Sequence, residues 1–305
     1  MLQQIINLLY RHPLSELKRY RRFGGYFSYR AMIRGTRRMK EASIQLPPVQ
    51  CYAHGLPVYF LTGKNYLYQT LFCIRSLVKF TNEEFQFILV DDGSFDSTLV
   101  AQIQKQLPGC RVVMQDEVDK NLQQRLPRQQ YPHLYQKRKV YPHLKKLTDI
   151  HTLMGAHWKL VLDSDMLFWD TPHEIMQWLK KPEQPIHMLD CVESYGYSKQ
   201  LMEKLSGHPI PSLLNVGAIG LNSTEINWSA LDNWVNILEK KEGSSYYLEQ
   251  ALTAMLIGDQ KLTALDKDKY KVNPSPGDTE PPVLHHYVDL SKKHYYTQAW
   301  KETLR

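Results

Sequence analysis

Asp163 and Asp165 are separated only by Ser164 and follow directly on the mostly apolar run Lys159-Leu160-Val161-Leu162. Side chains at i and i+2 of an extended segment share a face, so the two carboxylates point the same way. Held together they repel and raise each other's pKa, a cost that a bound cation removes. Mn²⁺ or Mg²⁺ suits such a pair. Either ion prefers carboxylate oxygen, bridges readily to a diphosphate, and neutralises the charge that builds when a bond to that diphosphate breaks. The plainer alternative is a solvated turn after a strand.

A second acidic cluster, Asp91-Asp92-Gly93-Ser94, follows Phe87-Ile88-Leu89-Val90. Asp91 or Asp92 can accept from a nucleobase N–H or a ribose hydroxyl, and Gly93-Ser94 permits a tight turn with backbone close to a ligand. The same residues would equally serve as an Asp-Gly turn and a helix N-cap. Near the end, the stretch from Leu284 to His294 gathers His285, His286, Lys292, Lys293 and His294. A histidine is a good third ligand for a site otherwise built from carboxylate and phosphate, and Lys292 or Lys293 could meet a diphosphate as a point charge. Alone, this stretch would read as a solvated polar tail.

The elements needed to position these residues are legible in the hydrophobic pattern. Pro57 to Thr62 reads as a buried strand, Tyr66 to Phe80 as a helix, Glu84 to Val90 as a strand, Ser97 to Leu107 as a helix and Cys110 to Met114 as a strand. This is the β-α-β-α-β opening of a parallel sheet, and open sheets of this kind bind ligands at the carboxyl ends of their strands. Residues 115–140 are polar and unpatterned. A helix from Leu144 to Gly155 then feeds the strand Trp158 to Leu162. Thr171-Pro172-His173-Glu174 has the form of a capping box with Pro at the first helical position, ahead of Ile175 to Leu179. Strands at Ile186 to Leu189 and Val216 to Leu221, helices over 228–240 and 246–257, and an irregular Pro-rich stretch at 273–284 complete the pattern.

The strand-Asp-Asp-Gly-Ser element, the strand-Asp-x-Asp element and a late histidine together resemble nucleotide-sugar glycosyltransferases of the GT-A fold, over residues 56 to 300. Asp91-Asp92-Gly93-Ser94 is similar to the large inverting family that opens with this motif. The later features resemble the glycogenin and lipopolysaccharide galactosyltransferase group, which retains anomeric configuration. They are a basic residue before Asp-x-Asp (Lys145 or Lys146), the Asn-x-Gly strand (Asn215-Val216-Gly217) and the acid-Gln pair Glu249-Gln250. Against that group's His-x-x-Gly-x-x-Lys-Pro-Trp ending, the chain keeps His286 and Lys292 but has Asp289, Lys293 and His294 in place of Gly, Pro and Trp.

The resemblance implies an α/β fold with a mostly parallel central sheet and a small antiparallel part after the Asp-x-Asp strand. It implies a divalent metal, Mn²⁺ or Mg²⁺, held by Asp163, Asp165 and His286. Donor contacts would come from Thr62, Gly63, Asp91, Asp92, Lys146, Ser164, Asn215, Gly217 and Lys292. Asp190 would line the sugar pocket and Glu249 would lie near the acceptor, as a general base in an inverting enzyme or a substrate-orienting group in a retaining one. The partners implied are a nucleotide-sugar donor, UDP-linked, and a glycan or lipid-linked acceptor.

Composition narrows the setting. The net charge of +7 is local: residues 1–40 hold ten Lys or Arg against Glu16 alone, leaving 28 bases against 30 acids elsewhere. Residues 1–50 therefore read as a basic N-terminal segment, expected to be helical and peripheral, ahead of a GT-A domain over 51–305. Its Arg and Tyr/Phe mixture suits contact with a membrane surface through residues 1–45. No zinc spacing or RNA-binding motif supports nucleic-acid binding. Four cysteines without Cys-x-x-Cys spacing, and an apolar Met1 to Tyr10 run without a preceding basic segment or cleavage site, lead to the expectation of no signal peptide and a cytoplasmic setting. Gly-x-Gly-x-x-Gly and Walker motifs are absent, which leaves dehydrogenase and ATPase readings unsupported. The rivals are a Mg²⁺-dependent phosphohydrolase of the haloacid dehalogenase type, although Leu167 stands where that family wants Thr or Val, and a non-catalytic nucleotide-sugar-binding module.

Overall fold

The computed structural model describes residues 12–275 and 282–304, with side chains from residue 17 onward. The run Met1 to Tyr10 and residues 276–281 of the Pro-rich stretch lie outside the described residues.

Helices α1 (His12–Arg22) and α2 (Tyr26–Ser43) meet at Gly24 and Gly25, whose φ angles of 82° and 97° suit residues without a β-carbon. There follow β1 (Leu56–Thr62), α3 (Leu67–Lys79), β2 (Phe85–Asp91), α4 (Ser97–Gln106) and β3 (Arg111–Val113), as the alternation of strand and helix patterns predicts. The unpatterned stretch after β3 is not irregular. It forms α5 (Gln115–Arg125) and α6 (Pro132–Val140). Each buries only a thin stripe, Val118 and Leu122 on one and Leu134 on the other, too narrow to register as an amphipathic period. Tertiary bonds hold α6 instead: Arg138 donates to both oxygens of buried Asp149, and Asp232 accepts from the Leu134 N–H.

Helix α7 (Lys145–Thr152) leads into β4 (Trp158–Leu162) and β5 (Met166–Phe168). The capping box expected at Thr171 does not form before α8 (His173–Lys180). Thr171 Oγ1 donates to the Phe80 carbonyl at 2.7 Å, and Glu174 accepts from the Tyr270 hydroxyl at 2.7 Å, so both capping groups are taken by other elements. Next come β6 (Ile186–Leu189), α9 (Lys199–Ser206), β7 (Leu214–Asn222), α10 (Trp228–Glu242), α11 (Leu248–Ile257), β8 (Thr263–Ala264), β9 (Tyr270–Val272) and β10 (Leu284–His286). α9 has no counterpart in the sequence reading.

The main sheet has the order β3-β2-β1-β4-β7-β6-β8, and a second sheet has the order β5-β10-β9. β3, β2, β1 and β4 run parallel; β7 is antiparallel to both β4 and β6. The mostly parallel sheet with a small antiparallel part after Asp-x-Asp is the expected architecture. Strand alternation splits the core into two layers. Val58, Phe60, Phe87, Leu160 and Leu162 face α3, α8 and the C-terminal turns, while Tyr59, Ile88, Val90 and Val161 face α5, α7, α10 and α11.

The second helix of the basic segment packs into the first of these layers. Met39 is fully buried, and a β-carbon at Gly35 would overlap the Tyr296 backbone, so α2 lies close against the C-terminal turn. Among the described residues no helix is long and apolar enough to cross a membrane.

Candidate active site

Parallel pairing in register places Thr62 opposite Asp91 at the ends of β1 and β2, with Asp163 leaving the end of neighbouring β4. The ends of three strands therefore share one sheet edge, and two of them, β2 and β4, carry carboxylates there. Asp163 is pinned there by its N–H, which donates to the Gly217 carbonyl at 2.7 Å. The second sheet brings in the histidine: β10 pairs antiparallel with β5, His286 opposite Met166, and the Tyr287 N–H donates to the Asp165 carbonyl at 2.9 Å.

His286 Nε2 then stands 3.6 Å from Asp163 Oδ2 and 3.4 Å from Asp165 Oδ1. The three side chains offer ligand atoms that all lie within 4.8 Å of one another. A β-carbon at Gly217 would overlap the His286 ring, so the Asn-x-Gly glycine is what leaves room for the imidazole. Two carboxylates and one imidazole form a mixed O/N donor set fitted to Mn²⁺ or Mg²⁺. Among the described residues His286 Nδ1 has no hydrogen-bond partner, so no competing contact draws the ring away.

Two ammonium groups flank the cluster. Buried Lys146 donates to Asp163 Oδ1 at 2.8 Å and to the Val216 carbonyl at 3.3 Å, and lies 3.2 Å from Glu249 Oε1. Lys292 lies 3.2 Å from Asp165 Oδ2. Burial disfavours the charge on Lys146, yet Asp163 and Glu249 outweigh it and raise its pKa. Burial pushes Glu249 up to about 7 despite Lys146, with the Asp163 charge adding to the rise. Burial also opposes ionisation of Asp165, but His286 and Lys292 hold its carboxyl well below the usual range. With Glu249 raised toward neutrality, the carboxylates of Asp163 and Asp165 face the two ammonium groups, and a dication between those carboxylates would replace part of that pairing.

The remaining predicted residues divide into a turn and a hydrogen-bonded group centred on Asp190 and Asn215. Asp91 is 2% exposed, and its Oδ1 accepts from the N–H groups of Gly93, Ser94 and Phe95 at 2.7 to 3.0 Å. Asp92 is more open, hydrogen-bonded by the Ser94 hydroxyl, and a β-carbon at Gly63 would overlap its carboxylate. Thr62 is fully buried. Across the edge, Asp190 Oδ2 accepts from Asn215 Nδ2 at 2.9 Å, and Asn215 Oδ1 accepts from the Gly217 N–H at 2.9 Å. Gln250 Nε2 reaches Asp190 Oδ2 at 3.5 Å and donates to the Ser194 carbonyl at 2.9 Å.

Sequence reasoning missed the part played by Thr70. Thr70 on α3 joins Thr62 to Ser164 through hydroxyl contacts of 2.8 Å on each side. Lys145, beside Lys146, donates to the Asp92 carbonyl at 2.6 Å and so ties α7 to the Asp-Asp-Gly-Ser turn. An ordinary helical threonine carries no local signal of such a contact. Of the two lysines the sequence offers before Asp-x-Asp, Lys146 reaches Asp163 and Lys145 turns to the Asp92 carbonyl.

No family model and no curated protein matches the sequence. Solved structures do. LgtC, a galactosyltransferase solved in complex with donor and acceptor sugar analogs, is similar over 81% of this chain and 94% of its own, with 13% identity and a TM-score of 0.53. An active-site mutant of LgtC is similar over 76% and 87%, with 15% identity and a TM-score of 0.50. Mouse xyloside xylosyltransferase 1 in its apo form covers 78% of this chain and 97% of its own at 15% identity, with a TM-score of 0.48. The chain has the GT-A fold of nucleotide-sugar glycosyltransferases.

Proposed function

We propose that the protein transfers a sugar from a nucleoside-diphosphate sugar, UDP-linked, to a glycan or lipid-linked acceptor, with Mn²⁺ or Mg²⁺ held by Asp163, Asp165 and His286. The observation that carries this reading is the convergence of those three side chains at the carboxyl edge of the parallel strands, with Lys146 and Lys292 on either side. When bound, the ion supplies electrostatic stabilisation of the departing diphosphate. Lys292, partly exposed, shares that role as a mobile point charge once it leaves Asp165. Asp92 and Gly63 receive the nucleoside; Thr62, Ser164 and buried Thr70 fix the backbone beneath it. Asp190, oriented by Asn215 and Gln250, faces the transferred sugar and orders its hydroxyls. Glu249 holds Lys146 against Asp163 and so positions the metal ligand.

The test is release of nucleoside diphosphate from a panel of nucleotide sugars with Mn²⁺ present, compared with Asp163→Ala and Asp165→Ala. Release that both variants retain in full would sink the metal assignment. Hydrolysis of simple phosphomonoesters without turnover of any nucleotide sugar would favour the phosphohydrolase rival, and donor binding without release the non-catalytic one.

A further inference from the structure

The outward surface of α2 carries a composition that packing does not explain. Met32, Gly35, Met39 and Ser43 are its buried face. On the opposite face, at helical spacing, stand Tyr26, Phe27, Arg30, Ile33, Arg34 and Arg37. Phe27 is 84% exposed, Tyr26 51% and Ile33 43%. Exposed apolar side chains scattered singly are ordinary, but these three share one face with a row of arginines. Lys18 and Arg21 on α1, and Arg30, Arg34 and Arg38 on α2, are exposed and have no ion pair with any described carboxylate. Glu41, bound to Arg37, is the single acid of α2.

The corner is packed through its aromatic rings and linked to the site by ion pairs. Tyr20 packs on Tyr26 and Tyr29 with ring centroids 5.4 and 5.3 Å apart, and Tyr26 packs edge-on to Phe27 at 5.6 Å. Arg22 pairs with Asp289, which stands three residues before Lys292, itself bonded to Asp165. A cationic face with aromatic and aliphatic side chains at its rim matches the boundary of an anionic bilayer, where arginines meet headgroup phosphates and aromatic rings enter the acyl edge. A nucleic-acid partner would account for the arginines but not for Phe27 and Ile33.

We propose that α1 and α2 dock the protein on an anionic membrane surface, Phe27 inserted and the α2 arginines on the headgroups, so that the donor site opens beside the bilayer toward a lipid-linked acceptor. The choice of acceptor rests on the transferase reading; the docking does not.

The test is flotation of the full chain with vesicles of phosphatidylcholine alone and of equimolar phosphatidylcholine and phosphatidylglycerol, with nucleoside-diphosphate release in solution measured on the same samples. The chain should float with the anionic vesicles only, and less as salt rises. The triple substitution Arg30→Glu, Arg34→Glu, Arg37→Glu should lower partitioning about 100-fold or more, and Phe27→Ala about 10-fold. Both variants change exposed residues and should keep the parent's donor turnover in solution. No flotation of the parent, or equal flotation of the triple variant, overturns the docking. So does binding to single-stranded RNA that depends on the arginines while Phe27→Ala leaves flotation unchanged. Flotation without turnover of any donor leaves the docking standing and removes the transferase reading; turnover without flotation does the reverse.

Discussion

Gly217 and the His286 imidazole occupy adjoining space so tightly that a β-carbon at position 217 would overlap the ring. The glycine of β7 thus decides whether the histidine of β10 can face Asp163 and Asp165. Gly217→Ala should displace the ring, lower Mn²⁺ affinity by about 10- to 100-fold as loss of ligand orientation does elsewhere, and cost about 1–3 kcal/mol of stability from overpacking. Mn²⁺ titration and urea unfolding of the variant check both. Parent-like Mn²⁺ affinity would separate the glycine from the metal site.

Lys146 is the buried cation between Asp163 and Glu249. Removing one partner of a buried pair strands the other, so Lys146→Met should destabilise the fold by about 3–5 kcal/mol. Adding Glu249→Gln should recover part of that loss without recovering kcat, because Asp163 still lacks its partner. Urea midpoints and single-turnover rates for the three proteins test the coupling, and additive stability losses would contradict it.

Metal addition should stabilise the protein, since an ion that binds the folded cluster and not the unfolded chain adds its binding free energy to folding. At a hundredfold excess over Kd the linkage amounts to about 2.7 kcal/mol. Thermal unfolding in EDTA against Mn²⁺ should show the shift in the parent and none in Asp163→Ala. An equal shift in both would place the ion elsewhere.

Asp91 binds its own turn. Asp91→Ala leaves three backbone N–H groups without their acceptor, a cost of about 1–3 kcal/mol that should fall on stability more than on donor KM. A large rise in KM with an unchanged urea midpoint would instead return Asp91 to direct donor contact.

His151 is buried, with Nδ1 2.9 Å from the Ser223 hydroxyl, and burial together with nearby Lys159 lowers its pKa to about 3. Its contribution to stability is complete above the unfolded value of about 6.5 and is lost as pH falls toward 3, because the unfolded chain takes the proton first. The full loss is about 5 kcal/mol. Chemical denaturation from pH 7 down to pH 4 should show this slope, and His151→Gln should flatten it. An unchanged slope in the variant would assign the acid sensitivity to other groups.

Much of this was legible in the chain itself, because strand and helix periodicity are local. Runs such as Phe87 to Val90 and Leu160 to Leu162 determine the parallel strands, and the acids that follow them must lie at one edge. The thin stripes of α5 and α6 escaped because so little apolar surface marks either helix, and α6 is held by polar contacts with other elements, Arg138 on Asp149 of α7 and the Leu134 N–H on Asp232 of α10. The capping box at Thr171 misled for the same reason: both of its side chains found better partners in other elements.

The sequence by itself determined which residues were available to hold a dication and a diphosphate, since residue chemistry and spacing along a strand are local properties. Only the tertiary structure decided that Asp163 and Asp165 meet His286, through the antiparallel pairing of β5 with β10, and that Lys146 rather than Lys145 lies between Asp163 and Glu249. It also decided which face of α2 is left bare. Those outcomes depend on strand register and helix rotation, which are set by packing across the whole core and by no single stretch of chain.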